Sequence, residues 1–345
     1  MNYNNFSKKV LNWYNLNKRD LPWRFEGNTK KDPYKVWISE IMLQQTTVSA
    51  VIPYYNKFIA KWPNIKRLSL ANIDEVLDFW SGLGYYRRAR NLHLTSKIIN
   101  NKFNGIFPIK EIEILDLPGI GEYTSAAIRS IAFDKRDTVV DSNIERIMTR
   151  VFYLKDPINK IKKEIKECAK KLTPDKKNGD YIQALMDIGS TICLPKNPLC
   201  ELCPVIKFCE AKKNASEDTV PLKIKKKIKP TRKGSVYWIV SSDNKVLLKR
   251  RVDSGILPGM LEFPSYGWSV DSNEDIDKKI LSIEDFKKKK GKVTHQFSHF
   301  NLLLTVYEKK EFNVNDIDGM WVAKKDLDNL GLPTLMKKVF NHINT

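Results

Sequence analysis

Ile112-Glu113-Ile114-Leu115-Asp116-Leu117-Pro118-Gly119-Ile120-Gly121-Glu122-Tyr123-Thr124 joins two apolar-periodic stretches through a turn and sets the architecture of the first half of the chain. Two glycines one residue apart permit a tight turn and a close backbone approach, because neither carries a Cβ. The turn opens a helix through Tyr123, Ala126, Ala127, Ile128 and Ile131. The first amides of such a helix lack intrahelical acceptors and lie at its partially positive end, where an anion is favoured. Leu117, Gly119 and Gly121 therefore read as a helix-hairpin-helix element that grips a phosphate. Such a contact holds a duplex without reading its bases.

On either side of the hairpin the chain reads as short helices separated by Gly and Pro loops. Asp32 followed by Pro33 is a cap and a first-turn proline, opening one helix through Val36, Ile38, Ile41, Met42, Val48, Val51 and Ile52. A helix over Ile73 to Phe79 stops near Gly82-Leu83-Gly84, and another runs from Tyr86 to Ile99. Ser142 followed by Glu145 reads as a capping box, making Ile144 to Phe152 helical.

Downstream, Cys193, Cys200, Cys203 and Cys209 form the pattern C-x6-C-x2-C-x5-C. Structural zinc sites favour two tight pairs of ligands, and only one tight pair exists here. A loop with unequal spacings can instead deliver four thiolates to the corners of a [4Fe-4S] cluster. Pro195, Pro198 and Pro204 keep a helix from forming through the loop. Unrelated thiols or two disulfides are the competing readings. Cys168 stands apart, and an inert buried thiol is its expected state.

The chain has 345 residues, 42% of them apolar, and a net charge of +20. That length admits two or three domains, and the charge is the footprint of a polyanion binder. The sequence contains neither an eighteen-residue apolar run nor the apolar core of a signal peptide at its start, so no membrane association is expected. A reducing cytoplasm, at the nucleoid, is the expected location. From Ala211 to Lys233 the composition turns to a lysine-rich linker. Beyond it, Ser235 to Val240, Lys245 to Leu248 and Leu302 to Tyr307 have strand character, giving a separate α+β domain.

The hairpin, Val139-Val140-Asp141 and the cysteine loop together resemble the endonuclease III superfamily of base-excision DNA glycosylases. Within it, Trp37-Ile38-Ser39-Glu40-Ile41-Met42-Leu43-Gln44-Gln45-Thr46 and Gly82-Leu83-Gly84-Tyr85-Tyr86 resemble the MutY-type adenine glycosylases, strongly from Leu21 to Cys209 and more loosely beyond. The resemblance implies a mainly α helix-hairpin-helix DNA glycosylase with an iron–sulfur module, plus a C-terminal α+β Nudix-like domain. Its implied boundaries are a catalytic region over 1–212, a basic linker over 213–233 and a recognition domain over 234–345. The catalytic region divides into a six-helix module at about 30–136 and a cluster module from about 1–29 and 137–212. The implied substrate is double-stranded DNA with adenine opposite 8-oxoguanine or guanine, and the expected state is a monomer.

Glycosidic cleavage needs a proton for the departing base and stabilisation of a sugar cation, and a pair of carboxylates supplies both. By resemblance, Glu40 is the general acid, its pKa raised by Ile38, Ile41, Met42 and Leu43, and Asp141 stabilises the cation while also capping a helix. Tyr123 stands where bifunctional relatives carry a lysine that forms a Schiff base, so strand cleavage is not expected. Asn143 orients Asp141 or the attacking water. Base access requires flipping, with Gln45, Thr46 and Tyr85 entering the stack and Trp23, Arg24 and Asp187 lining the base pocket. The loop Gly27-Asn28-Thr29 is longer than the common pattern. Leu257-Pro258-Gly259-Met260-Leu261-Glu262-Phe263-Pro264 resembles the start of the Nudix-like domain, without the later acidic cluster that holds magnesium in hydrolases. Phe297, Ser298 and His299 match its 8-oxoguanine loop, with Thr294 and His295 as weaker candidates. A bifunctional pyrimidine glycosylase and a non-enzymatic iron–sulfur DNA-binding protein are the rival readings.

Overall fold

The structure is a computed structural model that describes residues 3–24, 31–222, 228–252, 255–268, 278–313 and 317–344. The Gly27-Asn28-Thr29 loop and residues 223–227 of the basic stretch lie outside the described residues. The chain forms two compact units. One comprises Met1–Leu70 and Asn91–Lys226, and the other Ala71–Arg90 and Lys227–Thr345.

The first unit is helical. Its elements are α1 (Tyr3–Asn17), α2 (Pro33–Leu43), α3 (Val48–Lys61) and α4 (Ile65–Ser69). The chain then contributes α5 (Ile73–Phe79) to the other unit, and the boundary falls inside α6 (Arg87–Lys102). The helical unit continues with α7 (Glu111–Leu115), α8 (Glu122–Phe133), α9 (Ser142–Val151), α10 (Ile158–Leu172), α11 (Asn178–Thr191) and the short α12 (Glu210–Lys213). Helix α2 packs on α3 and α8, while α11 packs on α1, α8 and α9.

Helix α2 is apolar on nearly every side, with Val36, Trp37, Ile38, Ile41 and Met42 buried, which places it inside the bundle. Asp32 caps it by accepting from the Tyr34 amide at 2.9 Å, and Pro33 opens its first turn. The single helix expected through Ile52 is instead two. Gln45 takes a left-handed φ of +62°, and Gln44 donates through Nε2 to Thr124 Oγ1 at 3.2 Å. Both flanks keep helical apolar spacing and neither Gly nor Pro marks the break, so periodicity alone joins α2 to α3.

In the hairpin, Gly119 has φ +80°, and a Cβ there would sit 2.8 Å from the Cβ of Asn91. Conformation and space both demand glycine. Thr95 Oγ1 donates to the Pro118 carbonyl at 3.0 Å and holds the turn from α6. Gly121 is the N-cap residue of α8. At α9 the cap is Asp141, not Ser142: its backbone is extended and Oδ1 accepts from the Ile144 amide at 2.8 Å. A charged carboxylate at the positive end of a helix outcompetes the neighbouring hydroxyl.

The second unit is built on a mixed sheet. Its strands are β1 (Thr231–Ser241), β2 (Lys245–Arg250), β3 (Leu261–Glu262), β4 (Ser265–Tyr266), β5 (Lys287–Lys288), β6 (Val293–Gln296), β7 (Asn301–Phe312) and β8 (Met320–Ala323), with helices α13 (Lys278–Leu281) and α14 (Thr334–Asn344). The order is β3-β2-β1-β7-β5, with β4 on β1, β6 on β7 and β8 on β2. Strands β1 and β7 are parallel, running from Thr231 opposite Asn301 onward, so β1 begins inside the stretch read from sequence as linker. Alternation along β1 sends Val236, Trp238 and Val240 to a core with Leu335, Met336 and Val339 of α14. Ile239 faces the opposite side, with Leu247, Ile280 and Ile317.

Residues 71–90 are tied into this second unit. Asp74 pairs with Arg250 at 3.2 Å, and Ser81 Oγ donates to the Leu332 carbonyl at 2.9 Å. Gly331 approaches Asp78 so closely that a Cβ would overlap it. Among the described residues no helix is long and apolar enough to cross a membrane.

Candidate active site

Glu40 sits in the middle of α2 with 7% of its surface exposed. Burial drives its carboxyl up from 4.5 to about 7, a hydrogen bond with the Tyr123 side chain opposes that rise, and the nearby Asp141 charge adds to it. Tyr123 lies in the first turn of α8 and is itself pushed well above the usual phenol range by burial and by the two carboxyls. Three residues remote in sequence, Glu40, Tyr123 and Asp141, thus face one another.

Asp141 is half-buried and has two jobs. Oδ1 caps α9, while Oδ2 accepts from Asn143 Nδ2 at 2.9 Å. Burial raises its pKa, and the donors Ile144 and Asn143, with the Arg146 charge, pull it back. Several donors thus oppose burial at Asp141, whereas one hydrogen bond opposes it at Glu40, a contrast that suits a cation stabiliser and an acid. Arg146 holds Asn143 in turn: one Nη2 contacts Asn143 Oδ1 at 2.9 Å and the Gly189 carbonyl at 2.6 Å, while Nε donates to the Cys193 carbonyl at 2.7 Å. Sequence reading missed Arg146. Its signal is its place one helical turn after Asn143, on the buried side of α9.

A cavity opens beside Glu40, walled by Trp23, Arg24, Ser39, Leu43, Gln183 and Met186 among others. Trp23 packs edge-on against Tyr55 at 5.3 Å. Asp187 does not line the cavity. It is fully buried and engaged by Arg24 at 2.6 and 2.7 Å and by Arg19 Nε at 2.6 Å. It acts behind the wall, fixing the guanidinium of Arg24 through a bidentate bond. Gln183, one turn before Asp187 on α11, and Met186, directly before it, are wall residues that no local motif announces.

Gln45 is exposed in its left-handed conformation, and Thr46 folds back so that its hydroxyl donates to the Gln44 carbonyl at 3.3 Å. Within the second unit, Tyr85 also has a positive φ, +50°, and is 47% exposed. Non-glycine residues held there carry local strain, a recurrent mark of functional positions. The Tyr85 loop is pinned from below: Arg88 Nη2 donates to the carbonyls of Leu83 and Gly84 at 2.9 and 3.0 Å, and Trp80 Nε1 to Gly84 at 3.1 Å. Tyr85 Oη and Ser298 Oγ are 2.7 Å apart. His299 is exposed, whereas Phe297 is stacked between Phe300 at 4.8 Å and Trp268 at 5.9 Å. His295 meets the edge of Phe297, and Thr294 supplies a carbonyl to Lys338. Glu262 is occupied by Arg251 at 2.6 Å and by Ser265 at 2.8 Å.

Cys193, Cys200, Cys203 and Cys209 line one cavity, together with Arg150, Lys212 and apolar groups. Arg150 Nη1 donates to Cys193 Sγ at 3.2 Å. Among the described residues no three His, Cys, Asp or Glu side chains gather closely enough to chelate one ion. Four thiols around one cavity supply the number and type of donors that a sulfur-ligated metal group takes. Cys168 is buried on α10, with its thiol pushed up by burial.

Residues 38–192 match the HhH-GPD superfamily of base excision DNA repair proteins, and residues 235–342 match the NUDIX domain. Over 97% of its length the chain is 37% identical to an adenine DNA glycosylase of Buchnera aphidicola subsp. Schizaphis graminum, covering 97% of that protein. It is 31% identical to the adenine DNA glycosylase of Homo sapiens across 97% of this chain and 73% of that one. The chain belongs to the adenine DNA glycosylase family. A solved thermostable thymine-DNA glycosylase superposes with TM-score 0.55 at 33% identity, over 61% of this chain and 97% of its own. An endonuclease III–DNA complex, with TM-score 0.50 and 20% identity over 61% of this chain and 94% of its own, shares the fold.

For this member of the adenine DNA glycosylase family, burial of Glu40 sets a pH dependence of stability. Below 4.5 the carboxyl is protonated in both the native and unfolded chains. Between 4.5 and about 7 the native state keeps a proton that the unfolded chain has lost, so stability falls as pH rises; above about 7 the loss is complete. Glu40→Gln removes that dependence. In urea unfolding it should exceed the wild type by about 2–3 kcal/mol at pH 8, shrinking toward zero near pH 4. A constant difference across that range would contradict the burial of an ionisable Glu40.

Proposed function

We propose that this protein excises adenine opposite 8-oxoguanine or guanine in duplex DNA, as a monofunctional glycosylase. The carrying observation is Glu40 as a buried acid with a pKa of about 7, bonded to Tyr123 and facing Asp141. An adenine flipped into the cavity beside Glu40 receives its proton on a ring nitrogen. The glycosidic bond breaks with its electron pair leaving on the neutral base. The cation developing on the sugar is stabilised by the Asp141 carboxylate, which Asn143 orients. Water then attacks the sugar, and Glu40 accepts its proton, restoring the starting acid and leaving an abasic site. Tyr123 has no amine for a Schiff base, so the strand stays intact.

The second unit reads the opposite base. Ser298 and His299 supply exposed polar groups, with Tyr85 beside Ser298 as the stacking side chain and Phe297 as an aromatic support behind them. Glu262 is held by Arg251 and Ser265, which suits binding rather than magnesium-dependent hydrolysis. Gln45, next to Thr46, enters the stack around the 8-oxoguanine. The hairpin amides after Leu117, around Gly119 and Gly121, take a phosphate. The protein acts as a monomer in the cytoplasm, on the nucleoid. Cys193, Cys200, Cys203 and Cys209 would hold a [4Fe-4S] cluster that stiffens the loop after α11.

With a duplex carrying adenine opposite 8-oxoguanine, single-turnover excision should fall about tenfold per pH unit above about 7, as the Glu40 proton is lost. It should also fall at acidic pH as Asp141 is protonated, and Glu40→Gln should slow it about 10²–10⁴-fold. Strand breaks should appear only after alkali. An unchanged rate in Glu40→Gln, or direct strand cleavage, would sink this reading. Anaerobically purified protein should be brown and contain iron, and Cys203→Ser should lose both colour and thermal stability. A colourless, zinc-loaded wild type would refute the cluster.

A further inference from the structure

Helix α10 carries its charges in two separate rows. Past the irregular residue Ile161, it buries Ile165, Cys168, Ala169 and Leu172. On one exposed flank Lys162, Lys166 and Lys170 follow at intervals of four, with Lys163 beside them. On the other flank lie Glu164, Glu167 and Lys171, where signs are mixed. Lysines four apart repel one another and destabilise an isolated helix, a cost that an anion lying along the row relieves.

The row's location says which anion. Lys166 Nζ lies 3.0 Å from Glu122 Oε2, and Glu122 is the first residue of α8, directly after hairpin residue Gly121. Lys162 acts on Glu145 in the first turn of α9, four residues after Asp141. The row therefore runs alongside the start of both helices that carry the site. The Lys166–Glu122 pair is 55% and 81% exposed, the kind of ion pair that contributes little and exchanges readily. From Lys162 to Lys170 the row spans about 12 Å, eight helical rises, the axial length of three or four nucleotides.

We propose that Lys162, Lys166 and Lys170 form a second phosphate-binding surface beside the hairpin, tracking the backbone of duplex DNA that flanks the excised base. The inference rests on the glycosylase reading and adds a sequence-independent grip that serves affinity rather than chemistry. Lysine, a compact charge on a flexible stem, suits that task, because no base edge has to be matched.

The test compares wild type with Lys162→Gln/Lys166→Gln/Lys170→Gln and with a control, Lys160→Gln/Lys171→Gln, on an undamaged 30-base-pair duplex across a salt series. Glutamine keeps helix propensity, and circular dichroism melting verifies folding. The row variant should lower the slope of log affinity against log salt by about two to three, near 0.9 for each phosphate that is no longer neutralised. The control should stay within about 0.5 of wild type. Excision under saturating enzyme should stay within about twofold in both variants. A slope change below one in the row variant, or an equal change in the control, overturns the inference. If the wild type itself fails to excise adenine, the glycosylase reading fails instead, and the slopes still decide the surface.

Discussion

An acidic side chain held inside an apolar helix core is the constraint on which this structure depends. Glu40 projects from the centre of α2, where Val36, Trp37, Ile38, Ile41 and Met42 are also buried, and its surroundings disfavour its charge more strongly than Tyr123 favours it. A carboxyl in such a place works only if the helix cannot shift to hydrate it. The Asp32 cap, Pro33 and the packing of α2 on α3 and α8 supply that rigidity. The break after Leu43 serves the same end. By turning the chain at Gln45, it ends the apolar rod beside the cavity and sets Leu43 and Val48, on either side of the break, in its wall.

Asp141 ties a helix cap to the carboxyl of Glu40. As the cap of α9 it is bound by a backbone amide; as the neighbour of Glu40 it is tuned by Asn143 and Arg146. Arg146 continues the chain of contacts to the carbonyls of Gly189 and Cys193. Gly189 is needed there, because a Cβ would come within 2.5 Å of the Cβ of Asn143. The cysteine loop and Asp141 are thus parts of one hydrogen-bonded body, joined through Asn143 and Arg146.

Much of this was legible in the sequence where local chemistry carries the signal. Gly119 marks a turn that only glycine can make, and the spacing of the four cysteines places them on one short loop, where the structure gathers them round one cavity. The boundaries of α5 and the strand character of β1, β2 and β7 follow from periodicity and turn residues. What sequence hid depends on contacts distant along the chain. The α2–α3 break lacks a breaker residue, so apolar spacing runs straight through it. Asp187 reads as a pocket residue by resemblance, but the pairing with Arg19 and Arg24 turns it behind the wall. Residues 71–90 read as one more helix of a bundle, yet Asp74, Asp78 and Ser81 meet Arg250, Gly331 and Leu332. Arg146 has no motif; only the fold shows what it holds.

The central claim concerns the proton on Glu40, and carboxyl-carbon NMR titration observes it directly. With glutamate labelled at the side-chain carboxyl and the resonance assigned by its absence in Glu40→Gln, the midpoint for Glu40 should lie at about 7. A midpoint at 4.5, the value of a solvated glutamate, would mean that the carboxyl is hydrated and would contradict the account.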